Sequence, residues 1–180
     1  ASSDDGTKLV VVTLNGQIHT STNSGVSWTA RESSRAWRSV ASSADGTRLI
    51  AGEEFGVFIS SDSGVTWTKR SNESGDAVAS SADGMRLASA NSSFINTSED
   101  GGITWVFRSN AGNRYWTSIT SSADGLKLAA TAAGYSPFLS NDGGATWTVL
   151  QGSPMAGVIV SSADGRRLAA ASDYIYTSAA

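Results

Sequence analysis

The chain has 180 residues, a formal net charge of −3 and 16% charged residues. This composition offers no basic surface for nucleic acid or for an anionic membrane, so neither is expected as a partner. The absence of cysteine excludes disulfides and thiolate metal sites, and no apolar run approaches the roughly 18 residues of a membrane span.

One repeated unit dominates the sequence. Its first half reads Ser-Ser-Ala-Asp-Gly, a variable residue, Lys or Arg, and Leu, with a variant at the start of the chain. The glycines of these copies stand at positions 6, 46, 84, 125 and 165. A period this regular is typical of stacked copies of one small unit, none of which can bury its apolar face alone.

The second unit shows the predicted elements in chain order. Residues 37–43 alternate large and small side chains before an Asp-Gly turn, which is typical of a strand entering a hairpin. Short apolar strands are predicted over residues 48–52 and 57–60 with a turn between them, and a further turn precedes a fourth strand over residues 66–70. No segment shows a sustained helical period, so essentially no helix is expected.

Four short antiparallel strands per unit predict an all-β protein, a β-propeller of about five four-stranded blades. We expect a single domain over residues 1–180, with blades near residues 1–36, 37–74, 75–115, 116–155 and 156–180. A four-bladed ring with a C-terminal hairpin is the competing arrangement.

The second half of the unit reads Ser-x-Asp-x-Gly-x-Thr-Trp in three copies, with a near copy at residues 21–28. This motif resembles the Asp box, or BNR repeat, of sialidase-like propellers. The resemblance implies that its Asp accepts hydrogen bonds inside a turn and that its Trp packs between strands. The residues concerned are Ser60, Asp62, Gly64, Thr66, Trp67, Ser98, Asp100, Gly102, Thr104, Trp105, Ser140, Asp142, Gly144, Thr146 and Trp147, with Asn23 and Trp28 in the near copy.

The resemblance does not bring catalytic residues with it. Sialidases carry an arginine triad, a Tyr–Glu nucleophile pair and an Arg-Ile-Pro stretch, and Arg-Ile-Pro is absent from this chain. His19 is the only histidine, and no cluster has the spacing of metal ligands. We therefore expect a non-catalytic or engineered relative, not an enzyme, with no cofactor and no metal.

The two recurring motifs form turns on one face of such a propeller, so the loops that differ between copies lie on the opposite face, here called the variable face. These loops include residues 14–16 and residues 31–36. Variable loops on a rigid scaffold are where binding is usually placed. Aromatic and planar polar side chains suited to a sugar or peptide are predicted there: Trp37, Trp116, Tyr115, Tyr135, Tyr174, Phe55, Arg35, Arg114 and Asn113. Ordinary packing between blades is the alternative interpretation.

Two main functions remain open from the sequence. One is a non-catalytic binding module for carbohydrate, protein or peptide on the variable face, and the other is a natural or engineered self-assembling scaffold without a small-molecule ligand. A sialidase-like glycosidase ranks below both. Because residues 174–178 form an uncharged strand without proline, we expect a homo-oligomer joined through open terminal strands, or an imperfectly closed ring. No targeting segment assigns a compartment, and an extracellular or periplasmic one is slightly favoured.

Overall fold

The computed structural model describes residues 1–153, 155–172 and 175–179. Within these residues the chain forms seventeen strands, one 3-10 turn at Ser109–Ala111 and no α-helix. No helix in this described part is long and apolar enough to cross a membrane. The all-β prediction is confirmed.

The strands form four antiparallel sheets in which sequence neighbours are also sheet neighbours. The first sheet contains β1 (Leu9–Val12), β2 (Leu14–Ser21), β3 (Thr29–Ser42), β4 (Leu49–Glu53), β5 (Gly56–Ser60) and β6 (Thr68–Ser71). The second contains β7 (Ala77–Ser80), β8 (Leu87–Ala90), β9 (Ile95–Ser98) and β10 (Val106–Phe107). The third contains β11 (Trp116–Ser121), β12 (Leu128–Ala132), β13 (Phe138–Ser140) and β14 (Thr148–Val149), and the fourth β15 (Val158–Ser161), β16 (Arg167–Ala171) and β17 (Ile175–Ala179).

The Asp-Gly hairpin has the same register in every sheet. Ser42 pairs with Leu49 across the hairpin that contains Gly46, and the equivalent Ser–Leu pairs recur in the other sheets. Gly46 has φ +68°, a conformation that costs glycine nothing and other residues about 1–2 kcal/mol. We number the repeats 1 to 5 by this glycine: Gly6, Gly46, Gly84, Gly125 and Gly165.

The first two repeats share one sheet because β3 runs unbroken from the end of repeat 1 into repeat 2. Residues 14–16 and 31–36 were expected to be loops, and this expectation is wrong. They pair instead, with Leu14 opposite Ala36 and Gly16 opposite Arg35, and two register shifts in the ladder absorb the extra residues.

The core lies between neighbouring repeats. Val10 and Ile18 of repeat 1 pack with Trp37, Leu49 and Phe58 of repeat 2. Equivalent clusters join repeats 2 and 3, 3 and 4, and 4 and 5. Each sheet therefore buries its apolar faces against the next repeat, as the period of the sequence predicts.

The first strand of each repeat lies at the centre of this stack, where β3, β7, β11 and β15 contact one another in order. Backbone hydrogen bonds link the Asp-Gly turns in the same sequence, from Asp4 to Ala44, Ala82, Ala123 and Ala163. No backbone hydrogen bond between described residues joins the first sheet to the fourth, so the sheets are not closed into a ring.

Candidate functional site

The Asp-Gly turn is held by hydrogen bonds within its own loop. Ser43 Oγ donates to Asp45 Oδ1 over 2.6 Å, and the Thr47 amide donates to the same oxygen over 2.9 Å. The Arg48 amide closes the turn by donating to Ser43 Oγ. These bonds, the Ser43 hydroxyl first, hold the pKa of Asp45 well below its usual value.

The Ser-x-Asp-x-Gly-x-Thr-Trp segment, here called the tryptophan turn, uses its aspartate in the same way. Thr104 donates to Asp100 through its hydroxyl, at 2.6 Å, and through its amide, and Ser98 donates through its hydroxyl. The Thr104 hydroxyl is the largest cause that lowers the pKa of Asp100 to about 2. Trp105 Nε1 then donates to the Gly102 carbonyl over 3.1 Å. The carboxylates of both turns therefore form their hydrogen bonds within their own turns.

The near copy keeps this geometry without a charge. Asn23 Oδ1 accepts from the Ser27 amide over 2.9 Å, and Asn23 Nδ2 donates to Ser27 Oγ over 2.9 Å. Trp28 is 42% exposed, whereas Trp67, Trp105 and Trp147 are half-buried between repeats. Repeat 1 has no preceding repeat in this structure against which Trp28 could pack.

On the variable face, Arg114 lies among aromatic rings. Its guanidinium carbon is 4.5 Å from the Phe138 ring centroid, 5.2 Å from Tyr135 and 5.8 Å from Trp116. One terminal nitrogen donates to the Ala111 carbonyl, and Nε is buried without a hydrogen-bond partner among the described residues. No described carboxylate forms an ion pair with Arg114.

Repeat 2 contains the same arrangement with its charge neutralised. The Arg35 guanidinium carbon is 4.7 Å from the Phe58 ring centroid and 6.0 Å from Trp37. Unlike Arg114, Arg35 forms an ion pair with Glu32 at 3.3 Å. Repeats 2 and 4 are thus built alike, but of the two stacked arginines only Arg114 has no acidic partner among the described residues.

Trp37 and Trp116 were expected to offer ring faces to a ligand, and the structure corrects this. Each is only 1% exposed and packs edge-on against Phe58 or Phe138, with ring centroids 5.1 Å apart. Their place on the central strands β3 and β11 buries them between repeats, where each ring lies beneath the guanidinium of its arginine.

The other predicted residues divide into two groups. Tyr115, Tyr135 and Phe55 are 61%, 48% and 66% exposed, and Asn113 is also exposed. Asn113, Arg114 and Tyr115 are consecutive, and Tyr135 packs within 6.1 Å of Phe138 in the same cluster. Phe55 belongs to repeat 2, with Arg35. Tyr174 lies outside the described residues.

A cleft that sequence reasoning did not find opens between the third and fourth sheets, next to this cluster. It has a volume of about 380 Å³ and is lined by Pro137, Leu150, Ser153, Ile159 and Tyr176, among others. The Ser136 hydroxyl bonds the Ser153 carbonyl at its rim over 2.6 Å, one residue from Tyr135. The cleft depends on two repeats meeting, so no single motif announces it.

A sequence signal for the arginine cluster does exist. Repeats 2 and 4 both carry Arg-x-Trp, with the Trp on the first strand of the repeat, and Phe two residues before the serine of the tryptophan turn. The other repeats lack both features, so their joint presence marks the arginine–aromatic stack. Among the described residues, no group of three or more His, Asp or Glu side chains could hold a metal ion.

Comparison with known proteins identifies the fold. An ancestral GH74 enzyme is 15% identical with a TM-score of 0.75, over 99% of this chain and 29% of that one. The GH74 enzyme of Niastella koreensis is 17% identical with a TM-score of 0.75, over 95% and 32% of the two chains. YCF48 bound to D1 peptide is 18% identical with a TM-score of 0.72, over 98% and 63%.

These similar structures are β-propellers, and they confirm the predicted fold class. This chain has a β-propeller fold. No family model matches its sequence, and no curated protein is similar to it in sequence. The chain spans about a third of the length of the GH74 enzymes and less than two thirds of the length of YCF48.

The comparison also corrects one prediction. Three of the similar structures are GH74 glycoside hydrolases, including the xyloglucanase of Xanthomonas campestris at 16% identity and a TM-score of 0.73. The expectation that the protein is not an enzyme is therefore wrong, because glycoside hydrolases are among the proteins that share this fold. At these identities the likeness shows the fold alone.

Proposed function

We propose that the protein is a binding domain for an extended acidic peptide, held on the variable face around Arg114. The observation that carries this proposal is the Arg114 guanidinium, which lies on three aromatic rings without a carboxylate partner in the described chain. A guanidinium binds a carboxylate through two parallel hydrogen bonds, and its aromatic support fixes its plane in advance.

The surroundings of Arg114 suit a peptide. Exposed Tyr115 and Tyr135 flank the arginine and offer both apolar surface and a hydroxyl group. The apolar cleft beside them has room for one or two side chains. YCF48, which has the same fold, is described as bound to D1 peptide, so a propeller of this kind can take a peptide ligand.

Peptide arrays followed by fluorescence anisotropy test this proposal. We expect acidic peptides to bind, and Arg114→Leu to weaken binding about tenfold or more, because a hydrogen bond to a charged group contributes about 1.5–3 kcal/mol. Arg35→Leu is the matched control, since it removes an arginine that also stacks on a Phe and a Trp but is already neutralised by Glu32. Equal effects of the two substitutions, or equal binding of basic peptides, would contradict the proposal.

A neutral polysaccharide is the second candidate ligand. It rests on the exposed rings of Tyr115 and Tyr135 and on the resemblance to a xyloglucanase. Xyloglucan binding that survives Arg114→Leu but is lost in Tyr115→Ala would favour it, and release of reducing ends would assign a hydrolase. We also infer that the tryptophan turns are Asp boxes, supported by the Ser, Thr and amide donors that converge on Asp62, Asp100 and Asp142.

A further inference from the structure

The contact between successive repeats is built in one way throughout the chain. The amide after the serine pair of one Asp-Gly turn donates to the equivalent carbonyl of the next repeat: Asp4 to Ala44, Ala44 to Ala82, Ala82 to Ala123 and Ala123 to Ala163, at 2.7–2.8 Å. A donor thus faces the following repeat, and an acceptor faces the preceding one.

Side chains follow the same direction. The stem of Lys8 covers Gly46 so closely that a Cβ there would lie 2.8 Å from Lys8 Cδ. Arg48, Arg86 and Lys127 cover Gly84, Gly125 and Gly165 in the same way. Each basic stem therefore closes over the Asp-Gly turn of the next repeat.

The tryptophan turn forms the third part of the contact. A Cβ on Gly64 would lie 2.7 Å from Thr20 Cγ2 of the preceding repeat, and one on Gly144 would lie 2.9 Å from Thr97 Cγ2. The residue before the serine of one tryptophan turn thus fits against the glycine of the next turn, and Ile59 does so against Gly102.

The outer face of repeat 1 presents the acceptor half of this contact uncovered. A Cβ on Gly6 would meet nothing within 4 Å, and one on Gly25 would meet only Leu9 and Trp28 of its own repeat. The Asp4 carbonyl accepts no backbone hydrogen bond from the described residues. Val11, whose counterpart Ala51 is fully buried, is 41% exposed. We call this surface the head face.

The outer face of repeat 5 presents the donor half. The Ala163 amide donates no backbone hydrogen bond to a described residue. Val158 and Val160 are 58% and 57% exposed, whereas their counterparts Ala77 and Ala79 are 7% and 5% exposed. Arg167, the counterpart of Lys8, has no glycine beneath it. We call this surface the tail face.

The volumes left between repeats show what the tail face lacks. An open cavity of about 490 Å³ is lined by Val160, Arg167, Leu168 and Thr177. The equivalent spaces inside the stack hold only about 10–20 Å³, because a glycine and a leucine of the next repeat, such as Gly46 and Leu49, fill them. Gly6 and Leu9 carry the same two residue types on the head face.

We propose that the tail face of one molecule binds the head face of a second copy of this chain, and so continues the contact that repeats 1 to 5 make internally. Ala163 donates to Asp4 of the second copy, and the stem of Arg167 covers its Gly6. Charge also matches, since Arg167 stands on the tail face and Asp5 at the head, and inside the chain their counterparts already meet, with Lys8 Nζ donating to the Asp45 carbonyl. The two surfaces differ, so the assembly is head-to-tail.

This contact is distinct from edge pairing of terminal strands. It buries the broad faces of the outer sheets and uses the turns, whereas edge pairing would use only the backbone of β17. An exposed apolar face rimmed by charges is typical of a protein–protein contact. The occupant follows from the four internal copies of the same contact.

Sedimentation velocity of the 180-residue chain over a dilution series tests the proposal. We expect species larger than the monomer to grow with concentration. Val11→Glu blocks the head face and Val160→Glu blocks the tail face, so each variant alone should stay monomeric. A one-to-one mixture should form a dimer and stop there, because each molecule keeps one working face.

Val106→Glu is the matched control, since Val106 is 49% exposed on β10, away from both faces, and should leave association unchanged. Circular dichroism melts confirm that the variants are folded, and Val158→Glu supplies a second tail-face variant. A monomeric wild-type chain at all concentrations would overturn the proposal. So would self-association of either blocked variant, which would indicate edge pairing, or a mixture that remains monomeric.

Discussion

The guanidinium of Arg114 lies 4.5 Å from the ring centroid of Phe138, a residue that is only 4% exposed. A buried ring that fixes a charged group at the surface couples stability to binding. Phe138 also packs edge-on against Trp116, at 5.1 Å, so it joins the variable face to the core between repeats 3 and 4.

Phe138→Ala should therefore have two effects. Removal of a buried phenylalanine costs about 3–5 kcal/mol of unfolding free energy, and the loss of the ring also releases Arg114. Phe55→Ala is the control, because Phe55 is 66% exposed, and it should change stability by no more than about 0.5 kcal/mol. Urea denaturation measures both. Similar losses from the two substitutions would contradict the assigned core.

The tryptophans of the tryptophan turns should contribute unequally to the free energy of unfolding. Replacing a fully buried aromatic residue by alanine lowers the free energy of unfolding by about 3–5 kcal/mol. Since Trp67, Trp105 and Trp147 are half-buried, we expect a smaller loss from each Trp→Ala substitution. Trp28→Ala should cost least, because Trp28 is 42% exposed. Guanidinium denaturation of Trp28→Ala and Trp147→Ala compares the exposed tryptophan with a half-buried one, and a larger loss of unfolding free energy in Trp28→Ala would contradict this order.

Acid should weaken the fold through the aspartates of its turns. The pKa of Asp100 and of Asp142 is lowered from 3.8 to about 2, chiefly by the Thr104 and Thr146 hydroxyls. Because the pKa of each carboxyl is lower in the folded than in the unfolded state, its contribution to the free energy of unfolding is complete above about pH 5. That contribution is lost as the pH falls from 3.8 towards 2.

Thermal melts between pH 6 and pH 2.5 check this expectation. The melting temperature should be flat above about pH 5 and fall below pH 4, with a shallower fall in Asp142→Asn. Asn23 already occupies the equivalent position in repeat 1, so an amide is compatible with the turn. A melting temperature that rises on acidification would refute the assignment.

Gly125→Ala and Gly6→Ala separate backbone strain from contact between repeats. Both glycines have positive φ, +72° and +69°, so each alanine incurs about 1–2 kcal/mol of conformational strain. Only at Gly125 would the new Cβ collide with a neighbour, 2.5 Å from Arg86 Cβ, whereas at Gly6 it meets nothing within 4 Å. We expect Gly125→Ala to be the more destabilising in urea melts of dilute protein. Equal losses would show that the stems of the basic residues do not pack as described.

Much of the architecture could be predicted because it is local. The Asp-Gly pair and the serine two residues before the Asp specify the hairpin by themselves. The side chains of Ser43 and Thr47 donate hydrogen bonds to Asp45, so the polar groups of the turn are paired within five residues. The tryptophan turn is equally self-contained, and the repetition of both turns predicted stacked antiparallel sheets. The prediction of a loop at residues 31–36 is wrong because these residues pair with residues 14–18. This pairing is non-local, and it outweighs the local preference for a turn.

The sequence by itself determined the all-β repeat, the turns and the residue types on the variable face. Only the tertiary structure decided which of those residues remain accessible. Trp37 and Trp116 are buried because neighbouring repeats close over them, and among the described residues Arg114 has no acidic partner of the kind that Glu32 gives to Arg35. The head and tail faces likewise appear only when the repeats are stacked, because a contact between repeats consists of residues about forty positions apart whose fit no local pattern encodes.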